Sequence, residues 1–525
     1  MSSVLTNPKF PTFLLGVVSG VSVVLALNWI TGQHVKGKRS GASRSTGKHR
    51  HRRRLADEVT ITAASSASCL ASDLLTPDSD EALSEIFHEL DSKFIIHVDD
   101  LARIVRVFVK EMKRGLNAER QPLKMLPAFV SRLPTGSECD QVLAIDVGGS
   151  NFRVCLIELQ GKGAARSKQR KYVISEELKT GQGAVLFDFF AQCIADFLKE
   201  YPTNKSLKLG FTFSFPCSQK SISSGTLTNW TKGFSAPGVV DQDVSELLQQ
   251  ALARKNLHSV HVTALVNDTV GTLLSGAYVN EQTYIGIILG TGSNAAYVER
   301  MDRIGKWEGP AAQDSLTPEY MVINMEWGNF DKEQECLPLT SYDVQVDQAS
   351  MNPGNQLLEK LISGMYLGEI ARYVMLDLIH RRLLFRGHLS PLLSKAYSFD
   401  TSNMSRFERD HSQSLSDIKI VLEDIFKIPH VSVTDCRIVK RICQLVGQRS
   451  ARLAAMGIVG IVTHTNRLDG CNVAIDGSLY EHYPHYGSHI KDALLELLGI
   501  ASEKITLSLA RDGSGQGAAL AAVLA

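Results

Sequence analysis

The sequence predicts an α/β protein built as two large lobes, and three observations carry that reading. From Val142 onward, apolar β-branched runs alternate with helical patterns, as in "SLKLGFTFSFP", "VHVTALVND" and "TYIGIILGTGSNAAYVE", and such alternation is the signature of α/β architecture. The length, 525 residues, calls for two to four domains or two large lobes. A strand running into a glycine turn rich in small hydroxyl residues also recurs three times, as "DVGGSN" (146–151), "GTGSN" (290–294) and "DGSGQG" (512–517), although no exact tandem repeat is present.

The N-terminal region has its own character. Residues 11–30, "PTFLLGVVSGVSVVLALNWI", carry no charge and are long enough to cross a bilayer as a helix. The following 31–54 segment is rich in Lys and Arg and has no acid, which predicts a transmembrane anchor with the bulk of the chain on the cytosolic side. A cleaved signal peptide would want its basic residues before the apolar run, where only Lys9 stands. A matrix transit peptide would be amphipathic and Arg-rich from the start, and a nuclear signal in "KHRHRRR" sits awkwardly beside a spanning segment. Small polar residues to about position 77 read as linker.

Composition narrows the function classes. A formal net charge of +1 gives no global electrostatic case for nucleic acid. Nine scattered cysteines without a Cys-x-x-Cys pair argue for reduced thiols rather than a disulfide framework or zinc site. His482, His485 and His489 are spaced somewhat like metal ligands, but Pro484 interrupts them and a surface loop is the simpler reading. Asn204, Asn229, Asn267 and Asn403 each begin an N-x-Ser/Thr pattern; two of these lie in the candidate site motifs below, where a glycan would obstruct a cleft.

The elements follow in chain order. In "HVDDLARIVRVFVKEMKRGLNA", Leu101, Ile104, Val105, Phe108, Val109 and Met112 fall on one helical face, and Gly115 reads as the C-terminal stop. The strand "VLAIDV" then breaks at Gly148, Gly149 and Ser150. Gly-Gly costs β propensity, so it suits a turn or a close backbone approach. Amides in such turns make an anion-sized concavity, and Asp146 just before it could hold Mg2+ through water. An ordinary hairpin with a solvated aspartate is the bland alternative. Three such turns, the last opening the small-residue helix "AALAAVLA", suit phosphates gathered between hairpins and a helix N-terminus. None ends in Gly-Lys-Ser/Thr, so this is not a Walker A protein.

Polar residues then interrupt apolar segments. Asn267 and Asp268 end the strand "ALV", where a carboxylate can accept a proton from an alcohol. Thr231 and Lys232 follow Trp230, Ser214 ends "LGFTFS", Glu326 lies in the strand-like run "INMEW", and Gln356 and Glu359 stand near a helix start. Together they offer the hydrogen-bonding groups that a polyol demands. Taken singly, Asp268 could cap a helix beginning at Thr269, Lys232 could be solvated, and Glu359 could serve the helix dipole.

These segments, with "NWTKGF", "NDTVGTLLSGAY", "VINMEWGNF", "NPGNQLLEKLISGMYLGEI", "AIDGSLYEHYP" and "LARDGSGQGAAL", resemble the eukaryotic hexokinase and glucokinase family from about residue 78 to the C-terminus. The resemblance implies an actin-like ATPase (ribonuclease H-like) fold of a smaller and a larger lobe with a cleft between them. After the short N-terminus (1–10), anchor (11–30) and linker (31–77) read from composition, the resemblance implies helices on the large lobe (78–131), the small lobe (132–268), the large lobe (269–513) and a C-terminal helix returning to the small lobe (514–525). It implies Asp268 as catalytic base, helped by Lys232, and sugar-binding positions at Thr231, Lys232, Asn267, Asn294, Glu326 and Glu359, with Ser214 and Gln356 nearby. Asp146, Gly148, Gly149, Ser150 and Asn151 match the first phosphate loop, Gly290, Thr291 and Gly292 the second, and Gly513 and Ser514 the adenosine-side turn. Ser150 stands where the family usually has threonine and keeps the hydroxyl.

The implied activity is transfer of the ATP γ-phosphoryl group to the 6-hydroxyl of an aldohexose, glucose first, with ATP and Mg2+ required. Two alternatives are a membrane-tethered sugar sensor using the same cleft and a kinase preferring N-acetylglucosamine. The anchor resembles that of family members on the mitochondrial outer membrane, with the endoplasmic reticulum as the other candidate.

Overall fold

The computed structural model describes residues 80–149, 151–203, 205–308 and 318–525. The expected anchor and linker, Ser150 and Asn204 lie outside the described residues.

Thirteen described strands form two large sheets and one small ribbon. In chain order they are β1 (Leu126–Pro127), β2 (Cys139–Val147), β3 (Asn151–Gln160), β4 (Ala165–Val173), β5 (Leu207–Phe213), β6 (Cys217–Ser221), β7 (Ser224–Leu227), β8 (Val260–Val266), β9 (Thr283–Leu289), β10 (Ser293–Arg300), β11 (Tyr320–Asn324), β12 (Cys471–Asp476) and β13 (Ile505–Leu509). The smaller lobe has the order β4-β3-β2-β5-β8, and the larger has β1-β11-β10-β9-β12-β13. Within each, three strands meander antiparallel and two more join in parallel. With β1 set aside as an edge addition, the two lobes share one strand order. The first and second glycine turns are therefore equivalent hairpins, β2–β3 and β9–β10, of two copies of one topology.

The apolar runs are unbroken because both sheet faces are covered. On β2, Leu143, Ile145 and Val147 face the small-lobe core with Phe187 and Phe190 of helix Gly183–Glu200. The alternate residues Val142 and Ala144 face a third core between the lobes. On β10, Ala295 and Tyr297 enter the large-lobe core while Ala296 and Val298 turn to the shared one.

Two helices build that shared core by crossing over. Helix Asp268–Val279, which leaves the last small-lobe strand, packs on β9 of the large lobe. Helix Gly513–Leu524, which leaves the last large-lobe strand, packs on β5 and β2 of the small lobe. Glycines make both contacts close: a Cβ on Gly286 would stand 2.6 Å from Thr269 O, and one on Gly210 would stand 2.0 Å from Ala518 O. The two helices also pack on each other.

The N-terminal helices Asp80–Phe94 and Val98–Asn117 pack against helix Val433–Thr465 in the large lobe. Leu101, Ile104, Val105, Phe108 and Met112 are buried as the periodicity predicts, while Val109 is only half-buried against the same core. Gly115 does not end its helix, which continues to Asn117; a Cβ there would lie 2.2 Å from Leu123 O, so this glycine admits a passing backbone. Helix Val433–Thr465 is the one described helix long and apolar enough to span a bilayer, and it is buried in the large-lobe core.

Candidate active site

Strand ends from both lobes converge at the seam. Beyond β8, Asn267 is the N-cap of helix Asp268–Val279: its Oδ1 accepts from Thr269 N–H at 3.0 Å and from Thr269 Oγ1 at 2.5 Å. The cap is thus Asn267 and not Asp268. The Asp268 carboxylate instead accepts from Thr269 N–H at 2.9 Å on Oδ1 and from Ser214 Oγ, at the end of β5, at 3.0 Å on Oδ2. Burial lifts the Asp268 carboxyl above the usual aspartate range and the charge of Asp146 adds to this, while the Lys232 ammonium and the Ser214 hydroxyl oppose it.

Lys232 is held by an aromatic anchor. Phe215 and Trp230 meet edge to face at 5.0 Å, Trp230 stacks on Phe234 at 5.2 Å, and Trp230 Nε1 donates to Ala236 O at 2.8 Å. With φ at +55°, Lys232 directs Nζ to Ser214 O at 2.8 Å. Its charge acts on Asp268 and, from across the seam, on Glu359. Thr231 shares this loop, and its carbonyl accepts from Phe234 N–H at 3.1 Å.

The large lobe contributes a chain of amides and carboxylates. Asn294 Nδ2, on β10, donates to Asn324 Oδ1 at 2.8 Å, Glu326 Oε1 at 3.3 Å and Asn267 Oδ1 at 3.4 Å. Glu326 is not within a strand: β11 ends at Asn324, and Glu326 takes a left-handed conformation, φ +55° and ψ +50°, before a short 3-10 turn. Gln356 is also left-handed, at φ +58°, and stands at the N-cap position of helix Leu357–Ile362, without a side-chain capping bond, beside the Gly328 turn. Glu359 Oε1 accepts from Ser293 N–H at 3.3 Å. Burial pushes the Glu359 carboxyl up, the Ser293 amide lowers it, and the nearby Glu326 charge raises it. Lys232, Glu326 and Gln356 thus all occupy left-handed backbone conformations that non-glycine residues seldom adopt.

The three glycine turns meet beside this cluster. Gly148 N–H closes the first turn on Asn151 O at 3.0 Å, and a Cβ on Gly149 would stand 3.4 Å from Lys232 Cβ. Gly290 N–H closes the second on Gly292 O at 3.0 Å, and Met365 N–H pins it through Thr291 O at 3.1 Å. Gly513 N–H donates to Asp476 Oδ2 at 3.1 Å, and Gly477, next in chain, abuts Leu289 O and Gly290 N, so the end of β12 ties the second turn to the third. Burial lifts the Asp476 carboxyl to about 6. Ser514 is not remote from the first turn: its Oγ donates to Asp146 Oδ2 at 3.0 Å.

Arg153, Asp476 and Asn324 are members of the site that the sequence reading did not assign. Arg153 donates to Asp146 at 2.5 Å, to Asp512 at 2.7 Å and to Ser514 Oγ at 2.8 Å. Hairpin symmetry is the signal that exposes it, because β2–β3 register sets Arg153 directly opposite Asp146. Asn324 is the lone amide closing an apolar strand.

Two lobes of repeated topology, exchanging helices across a seam where amides and carboxylates meet the glycine turns, define a two-domain α/β fold consistent with the actin-like ATPases. Hexokinase family models match residues 86–278 and 284–524. The chain is 38% identical over 448 residues to Hexokinase-1 of Schizosaccharomyces pombe, covering 85% of this chain and 91% of that one. It is 43% identical over 439 residues to Hexokinase-1 of Nicotiana tabacum, covering 80% and 87%. A hexokinase from Schistosoma mansoni solved with glucose superposes with a TM-score of 0.77 at 39% identity, covering 85% of this chain and all of that one. The chain belongs to the hexokinase family.

Proposed function

We propose that this chain is an ATP-dependent hexokinase that phosphorylates the 6-hydroxyl of an aldohexose, with glucose as the principal acceptor. One observation carries the reading: the Asp268 carboxylate stands where the hydrogen-bonding cluster meets the glycine turns, joined to Ser214 and influenced by Lys232 and Asp146. The glucose bound in the Schistosoma mansoni relative supports the choice of acceptor.

In this reading Asn267, Asn294, Glu326 and Glu359 bind the sugar hydroxyls, with Ser214, Thr231 and Gln356 completing the wall. Asp268 takes the proton of the 6-hydroxyl as that oxygen bonds to the γ-phosphorus and the bond to the β–γ bridging oxygen breaks, releasing ADP; such general-base help is typically worth about 10²–10⁴ in rate. Lys232 supplies positive charge toward the phosphoryl in transit. The amides of Gly148, Gly290 and Gly513 are already used within the protein, which leaves those at the turn tips, Gly149 and Thr291, for phosphate oxygens.

Among the described residues no cluster of three or more acidic, His or Cys side chains forms a metal cage. Asp146, beside the first glycine turn, would hold a Mg2+ ion through water. Bound there, Mg2+ would neutralise phosphate charge. Approach of the two lobes would exclude water, a competent rival nucleophile.

The uncharged 11–30 run and the basic 31–54 segment support a membrane anchor with the cleft in the cytosol, the mitochondrial outer membrane before the endoplasmic reticulum. The test is an ATP-coupled assay of the purified protein against glucose, other hexoses and N-acetylglucosamine. Glucose 6-phosphate as the fastest-formed product is expected. Glucose binding without turnover of any hexose would sink the reading and favour a sensor.

A further inference from the structure

Asn324 sits at the end of β11 and is 8% exposed, beneath the groups assigned to the sugar. Its one amide does two opposite things. Oδ1 accepts from Asn294 Nδ2 at 2.8 Å, and Nδ2 donates to Glu326 Oε1 at 3.0 Å. Asn294 spends its own Oδ1 on Ala295 N–H at 2.8 Å, so the orientation of its amide is fixed from both ends. Its NH2 group then has two protons for three acceptors, on Asn324, Glu326 and Asn267, and the contacts at 3.3 and 3.4 Å are the weak ones. Glu326, already strained at φ +55°, has Oε1 held by both amides. At neutral pH a carboxylate in its place would only accept, whereas the amide supplies an acceptor and a donor without charge.

We propose that Asn324 is the positioning residue of the hexose subsite: it fixes the donor–acceptor polarity of the Asn294–Glu326 pair so that Glu326 presents a carboxylate oxygen to a sugar hydroxyl while Asn294 keeps a proton to give. This rests on the hexokinase reading of the cleft. The site so organised takes a neutral polyol whose hydroxyl donates to Glu326 and accepts from Asn294. A buried carboxylate in place of Asn324 would still accept from Asn294 but would face Glu326 with like charge and no proton.

The experiment compares Asn324→Asp and Asn324→Ala with the parent in glucose and ATP titrations from pH 5.5 to 8.5. A hydrogen bond to a charged group is worth enough that the glucose KM should rise roughly ten- to hundredfold at pH 8 in both variants, with the ATP KM within about twofold of the parent. In Asn324→Asp alone the defect should shrink as pH falls, because a protonated Asp again donates to Glu326; a general loss of packing would not produce that pH dependence. An unchanged glucose KM in either variant that keeps the parent's ATP affinity overturns the proposal, as does an Asn324→Asp defect independent of pH. Failure of the parent itself to phosphorylate glucose would defeat the functional reading instead, and is read separately.

Discussion

Replacing Asp268 by Asn isolates charge from shape. The amide oxygen can keep the 2.9 Å contact from Thr269 N–H, and Ser214 Oγ, now an acceptor, can take a proton from the new Nδ2. The helix stays capped, because Asn267 and not Asp268 caps it. On the proposed mechanism what disappears is the proton acceptor, so kcat for glucose should fall about 10²–10⁴-fold, equivalent to about 3–5 kcal/mol of barrier at 1.36 kcal/mol per decade. Stability should move the other way at neutral pH. The folded-state pKa of Asp268 is raised, chiefly by burial, so its contribution to stability is fully present below the ordinary aspartate value and is lost as pH rises through the folded value. Asn carries no such loss, and the variant should melt above the parent at pH 7.5 and converge with it near pH 3.5. A coupled assay for glucose 6-phosphate and melting curves at the two pH values decide the matter. Turnover within about tenfold of the parent, or a lower melting temperature at pH 7.5, would refute the reasoning.

Three further outcomes are expected. Gly517→Ala would set a Cβ 1.9 Å from Gly271 O where the two exchanged helices pack together, and thermal unfolding should report a loss of about 1–3 kcal/mol or more. Asp343→Ala would strip Arg449, wholly buried and held at 2.6 and 2.7 Å, of its partner; denaturant titration should show a cost of about 3–5 kcal/mol. Glu111 is buried with Oε2 unpartnered, and burial, with Asp331 and Glu335 adding and Arg114 opposing, lifts its carboxyl to about 7. Its folded-state pKa is raised, so its stabilising effect is lost as pH climbs from about 4.5 through about 7. Glu111→Gln should therefore match the parent near pH 4 and exceed it by about 3 kcal/mol near pH 9.

Much of the site was legible because polar residues ending apolar runs are conspicuous: Asp268 after "ALVN" and Ser214 after "LGFTF" lie where their strands deliver them. The strand-like placement of Glu326 was wrong, since periodicity does not announce a left-handed residue just past a strand end. Arg153 and Asn324 stayed hidden because their roles depend on cross-strand register, which sets one opposite Asp146 and brings the other beside Asn294. The repeat of topology was also invisible, because two sheets can share a strand order while their side chains answer to different cores. Gly115 shows the converse: helix-stop chemistry and close backbone approach both select glycine, and only the neighbour, Leu123 O, tells them apart.

The exchanged helices make the chain's order of synthesis matter. Until Gly513–Leu524 emerges, the small-lobe strands β2 and β5 lack the cover that Ala518, Ala519 and Leu520 provide. A ribosome that has made both sheets but not this helix still holds a half-open, sticky intermediate. A stop placed just before Gly513 should consequently yield aggregate or a chaperone client, and neither lobe should survive expression as an isolated fragment.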